Sequence, residues 1–170
     1  VNAGIMAVLF SLIGILIYIW LRFEWHFAVG AIIALIHDVF LTIGFFSIFQ
    51  FEFNLATVAA VLTIAGYSIN DTVVIYDRIR ETSRKYKKII FEEIINLSLN
   101  STLSRTIMTS LTTLLALFAL FIFGGNVISG FVIALIWGVI IGTYSSLYVA
   151  SPILLILNAD KRNTSNQNEH

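Results

Sequence analysis

Leu55-Ala56-Thr57-Val58-Ala59-Ala60-Val61-Leu62-Thr63-Ile64-Ala65-Gly66-Tyr67-Ser68-Ile69-Asn70-Asp71-Thr72-Val73-Val74-Ile75-Tyr76 is an apolar run with one formal charge, the carboxylate of Asp71. At 1.5 Å per residue, about 20 residues in a helix cover the ~30 Å hydrocarbon layer, so this run can span only by taking Asp71 below the surface. An acidic residue at a helix centre costs roughly 2.5 to 3.5 kcal/mol on insertion, and such groups face other helices or water-filled cavities rather than lipid. The reading that follows is proton handling by Asp71. The structural alternative is a static buried ion pair that fixes helix register.

Working outward, 58% of the 170 residues are hydrophobic and 12% charged, with a mean hydropathy of +0.92. That balance excludes an ordinary soluble domain. Further apolar runs occupy residues 1–21, 27–49, 106–123 and 128–157 beside the run at 55–76. They are continuous rather than alternating, which predicts helices and not a barrel. The expected fold class is therefore an all-α integral membrane protein with a five-helix transmembrane bundle. The last run exceeds the bilayer, predicting tilt or an interfacial end near Pro152.

The ten Lys and Arg fall after the first, third and fifth runs, and the connections at 50–54 and 124–127 hold none. The positive-inside rule then predicts a multi-pass protein whose N-terminal end lies outside and whose C-terminus is cytoplasmic. Residues 86–99 place Ile90, Phe91, Ile94, Ile95 and Leu97 near helical spacing beside Glu92 and Glu93. This pattern predicts a cytoplasmic amphipathic helix, lying on the membrane face or packed under the bundle. Residues 158–170 are polar and without periodicity, predicting a disordered tail. The chain opens on Val1 inside an apolar run without a basic leader, so neither a signal peptide nor a natural start is expected.

In the last run Gly130, Ala134, Gly138, Gly142, Ser146 and Ala150 recur every fourth residue. Small side chains at this spacing let another backbone approach closely, so this helix is expected at the centre. The second run repeats the device with Gly30, Ala34 and Thr42 on the face that holds Asp38, which predicts that Asp38 points at protein.

Asp71 lies about 8 Å in from Tyr76 by helical rise, and Arg105 enters the membrane at a comparable depth. The two are the expected pair, the structural alternative being an Arg105 that snorkels from its span's cytoplasmic end to the phosphates. Burial favours a neutral carboxyl whereas a guanidinium favours the carboxylate, so a small change in separation can switch proton binding. Ser68, Asn70 and Thr72 on one helix and Thr106 and Thr109 on another are candidate supports for relay waters. His37 and Asp38 lie about 16 Å into the second run. Adjacent residues on a helix point about 100° apart, so these two are not expected to face one another. They extend a proton path or glue two helices. No nucleotide loop, hydrolase motif or dinucleotide fingerprint is present, and there is no Cys. Neither enzymatic activity nor a cofactor, metal or nucleic-acid partner is expected.

Arg22-Phe23-Glu24-Trp25, His37-Asp38-Val39, Glu52-Phe53-Asn54-Leu55, residues 66–74, Tyr76-Asp77-Arg78-Ile79-Arg80-Glu81, Asn100, Thr102-Leu103-Ser104-Arg105-Thr106, Thr109-Ser110 with Thr112-Thr113, Phe123-Gly124-Gly125 and Gly142-Thr143-Tyr144-Ser145-Ser146 together resemble the SecD/SecF family of protein-export membrane proteins. The resemblance implies an RND-type half-bundle of six helices with a periplasmic domain between the first two. This chain would correspond to the last five, the first helix and that domain lying outside it. It also implies a role in the bacterial cytoplasmic (inner) membrane, where the proton-motive force assists preprotein translocation. Implied partners are SecD, the SecYEG translocon, YajC and YidC, preprotein substrates and membrane lipid. Residues implicated in the family's proton conduction match Asp71 and Arg105. The competing readings are a proton-coupled small-molecule exporter of the RND type and a non-conducting structural subunit of a membrane complex.

Overall fold

A computed structural model describes residues 2–51 and 54–157. The helices are α1 (Asn2–Arg22), α2 (Trp25–Ile48), α3 (Leu55–Lys85), α4 (Phe91–Phe123) and α5 (Asn126–Tyr148). No strand occurs among the described residues, and the tail expected at 158–170 lies outside them, as do Val1, Glu52 and Phe53. Among the described residues four helices are long and apolar enough to cross a membrane: Trp25–Ile48, Leu55–Lys85, Phe91–Phe123 and Asn126–Leu157.

Local chemistry sets the ends. Asn54 and Thr57 start α3 with a reciprocal capping box, the Thr57 amide donating to Asn54 Oδ1 at 3.1 Å. Arg84 and Lys85 close α3, and Glu92 and Glu93 open α4, each matching the sign of the helix dipole there. Gly125, at φ 75°, turns the chain between α4 and α5, a conformation glycine adopts without steric cost. Beyond α5 the chain breaks at Val149 and continues as helix over 150–157. Pro152 accounts for the break, because it has no amide to offer the Tyr148 carbonyl and its ring crowds that oxygen.

The expected separate amphipathic helix at 86–99 is corrected. Residues 86–90 form the turn, and from Phe91 the chain runs as one helix through the fourth apolar run to Phe123. Nothing between Phe91 and Thr106 is Gly or Pro, so the helix has no reason to stop where its apolar face changes. Phe91, Ile94 and Ile95 bury their side chains in a cluster with Phe23, Ile75, Ile79 and Leu154. α3 likewise continues past Tyr76, burying Ile79 and Thr82. The two extensions pack together, with Arg78 Nε donating to Ser101 Oγ at 3.0 Å.

α3 and α5 are the central pair. Ile64 lies against Gly138 and Ser68 against Gly142, Thr72 meets Ser146, and Tyr76 meets Ala150. Both numbers rise by four at each contact, so the helices run parallel with a constant register. Gly130, in contrast, has open space where a side chain would go. α2 packs on both central helices, α4 covers their other side, and α1 lies at the edge against α2 and α3. α4 turns Leu111, Leu115 and Ile122 outward, which carries no penalty where the solvent is lipid.

A side chain at position 138 would enter the space of Ile64. Gly138→Val is therefore expected to destabilise by about 1 to 3 kcal/mol, whereas Gly130→Ala, in open space within the helix, should cost nothing and stabilise by up to about 1 kcal/mol. Thermal unfolding of both variants in the same detergent checks this contrast.

Candidate functional site

Two carboxylates lie inside the bundle in opposite settings. The α2 face of Gly30, Ala34, Asp38 and Thr42 is buried against α3 and α5, and the Asp38 side chain is 0% exposed. Ser68 Oγ donates a hydrogen bond to Asp38 Oδ2. His37 Nδ1 lies 3.0 Å from Asp38 Oδ1. The expectation that these neighbours do not face one another is thus corrected, because rotation about the imidazole's side-chain bonds brings the ring back over the carboxylate. The bonds continue beyond Asp38. Ser146 Oγ donates to the Ser68 carbonyl at 3.3 Å, and Thr72 Oγ1 lies 3.0 Å from Ser146 Oγ. Asp38 therefore ties α2 to α3, and the serines tie α3 to α5.

Asp71 is 5% exposed, and its Oδ2 has no hydrogen-bond partner. The direct Asp71–Arg105 ion pair expected from sequence is absent. Among the described residues the close charge pairs are Arg22–Asp77 at 2.7 Å, Arg78–Glu81 at 2.7 Å and His37–Asp38 at 3.0 Å. Arg105 remains within electrostatic reach of Asp71. Its side chain is exposed, beside an open cavity of about 370 Å³ shared with Asp77, Arg78, Glu81, Ser101 and Thr102. A long cationic side chain at a helix's polar end turns to water because its hydration is retained there.

The expected supports divide. Ser68, Thr72 and Thr106 are buried. Asn70 and Thr109 face outward, and the Thr109 hydroxyl donates back to the carbonyls of Arg105 and Thr106 at 2.9 Å each. A second polar bridge escaped the sequence reading: Tyr67 OH donates to Ser110 Oγ at 3.5 Å, and Ser110 lies 2.7 Å from Thr143 Oγ1. Its signal was present, since Thr102, Thr106 and Ser110 recur every fourth residue and share the buried face of α4. Ser145 is a further buried hydroxyl, without a hydrogen-bond partner. Tyr76 OH donates to the Ala150 carbonyl at 2.9 Å, and a side chain at Gly30 would collide with that hydroxyl. No three metal-ligating side chains converge among the described residues.

Four long apolar helices and two deeply placed carboxylates define a multi-pass membrane protein whose apolar interior also holds ionisable and hydroxyl groups. Residues 1–160 match the family described as Protein export membrane protein SecD/SecF, C-terminal, and the chain belongs to that family. It is 58% identical to the protein translocase subunit SecF of Cereibacter sphaeroides over 95% of this chain and 50% of that protein. It is 60% identical to the SecF of Rickettsia rickettsii over 91% of this chain and 50% of that one. The chain thus spans about half the length of these curated relatives. The crystal structure of SecDF from Thermus thermophilus, a translocon-associated membrane protein, superposes with a TM-score of 0.88 at 47% identity, covering 92% of this chain and 22% of that one. SecDF in its super-membrane-facing form gives 0.86 at 45% identity, covering 97% and 22%.

Ser68→Ala removes the donor that links α3 to the buried Asp38. The variant is expected to lose about 1 to 3 kcal/mol, read as a lower melting temperature. Adding Asp38→Asn should cost less in this background than in the parent, because the two changes remove one shared bond.

Proposed function

We propose that this chain works as part of the Sec protein-export machinery of the bacterial cytoplasmic membrane, using the proton-motive force together with SecD to assist preprotein translocation. The observation that carries the reading is Asp71, a buried carboxylate in a membrane-spanning helix with an unpartnered oxygen and a mobile-length cation, Arg105, in electrostatic reach. A carboxylate so placed is costly when charged and cheap when neutral, so its preferred proton state follows the position of Arg105. Moving one proton across 100 mV releases roughly 2.3 kcal/mol, similar to the few kcal/mol between two packings of a bundle. Asp38 and His37 serve as a second station toward the outer side, linked through Ser68 and Ser146 to the central seam. The names of the relatives, SecF and SecDF, support the export role and the pairing with SecD.

The charge distribution supports an N-terminal end outside and a cytoplasmic C-terminus. In this reading the chain has no enzymatic activity of its own, needs no cofactor, and meets SecYEG, YajC and YidC as neighbours in the translocon. Full-length protein carrying Asp71→Asn should insert and assemble normally but lose proton-gradient-dependent preprotein release by tenfold or more. Release measured in vesicles with an imposed gradient checks it. Export equal to that of the parent protein overturns the proton role, and an efflux defect without an export defect favours the small-molecule exporter.

A further inference from the structure

We infer that the end of the bundle where α1 passes into α2 holds a binding site for a phosphate-bearing anion. A cavity of about 180 Å³ opens there, with Glu24, His26, Arg80, Ser83 and Arg84 as its polar lining. It has room for one phosphate group and a few waters, each water taking roughly 30 Å³.

The cations set the site's sign. Arg22 at the end of α1 and Arg78 on α3 are neutralised by Asp77 and Glu81 at 2.7 Å. Arg80 and Arg84 have no ion-pair or hydrogen-bond partner among the described residues. Arg80 Nε is moreover buried, and a buried N–H without an acceptor costs free energy that an anion would recover. Glu24 borders the same cavity, yet it pairs with neither arginine and its side chain does not cap α2.

Two guanidinium groups and a serine hydroxyl, carried on successive turns at the end of α3 and lining one cavity, suit a tetrahedral anion with several acceptor oxygens. Arg80 lies one turn beyond Tyr76, about 6 Å along the axis, and Phe91 and Leu154 close the cavity with apolar surface. The same chemistry is offered by the headgroup of an anionic phospholipid and by a free phosphate. Glu24 opposes either one by like charge.

The test follows thermal unfolding of the full chain in neutral detergent. Dioleoyl phosphatidylglycerol, zwitterionic dioleoyl phosphatidylcholine or inorganic phosphate is added, for the parent, Arg80→Gln/Arg84→Gln and Glu24→Gln. The parent should rise by several degrees with phosphatidylglycerol or with phosphate but not with phosphatidylcholine. The double variant should need at least fivefold more ligand for half the effect, and Glu24→Gln severalfold less. A response to inorganic phosphate alone assigns the site to a free anion, and a response to phosphatidylglycerol alone assigns it to lipid. If the double variant does not unfold cooperatively, Arg84→Gln, altered at an exposed position, takes its place. An undiminished response in the arginine variant overturns the site, as does equal stabilisation by phosphatidylcholine.

Discussion

The close approach of α3 and α5 is the constraint on which the rest depends. In lipid no hydrophobic force drives two helices together, so they associate where small residues allow backbones and short polar groups to meet. Gly138 admits Ile64 and Gly142 admits Ser68. One turn further, the gap is narrow enough for hydroxyls to bond across it, Thr72 with Ser146 and Ser146 with the Ser68 carbonyl. A side chain at Gly142 would press on Ser68, the residue that links α3 to Asp38. Packing and polar satisfaction are thus the same feature seen at successive turns.

That seam separates two acids by environment rather than by type. Asp38 has its oxygens engaged by Ser68 and His37. Asp71, three residues beyond Ser68, has an oxygen with nothing to accept from. A satisfied buried carboxyl rigidifies its surroundings, while an unsatisfied one leaves the cost of its burial uncompensated. Paired acids with unlike settings are how proteins assign unlike roles to one side-chain chemistry.

What could be read in the sequence was whatever repeats at a helical spacing. The four-residue interval of Gly30, Ala34, Asp38 and Thr42 marks a single face, and that face is buried. The same interval in the last apolar run indicates the seam from Ala134 to Ala150, though not that Gly130 stands clear of it. Spacing does not say which way a long side chain turns, so equal depth suggested an Asp71–Arg105 contact where Arg105 instead faces outward. Nor does a change from polar to apolar composition end a helix, which is why residues 91–105 belong to α4. His37 and Asp38 show the limit on the other side: helical angle constrains Cβ directions, and an imidazole can still fold back over its neighbour.

The lengths of α3 and α4 have a mechanical consequence. Lys85 lies nine residues beyond Tyr76, so of the paired extensions that of α3 projects about 14 Å past its apolar run. They are braced to one another by Arg78 and Ser101 and rooted in the cluster around Ile79 and Phe91. A stiff projection of that reach is a lever arm: pivoting α3 by about 10° would sweep its tip by roughly 2 Å, with the rise per residue as the only input. Displacements too small to notice beside Asp71 would be magnified at Lys85, on the water side, where another molecule could feel them.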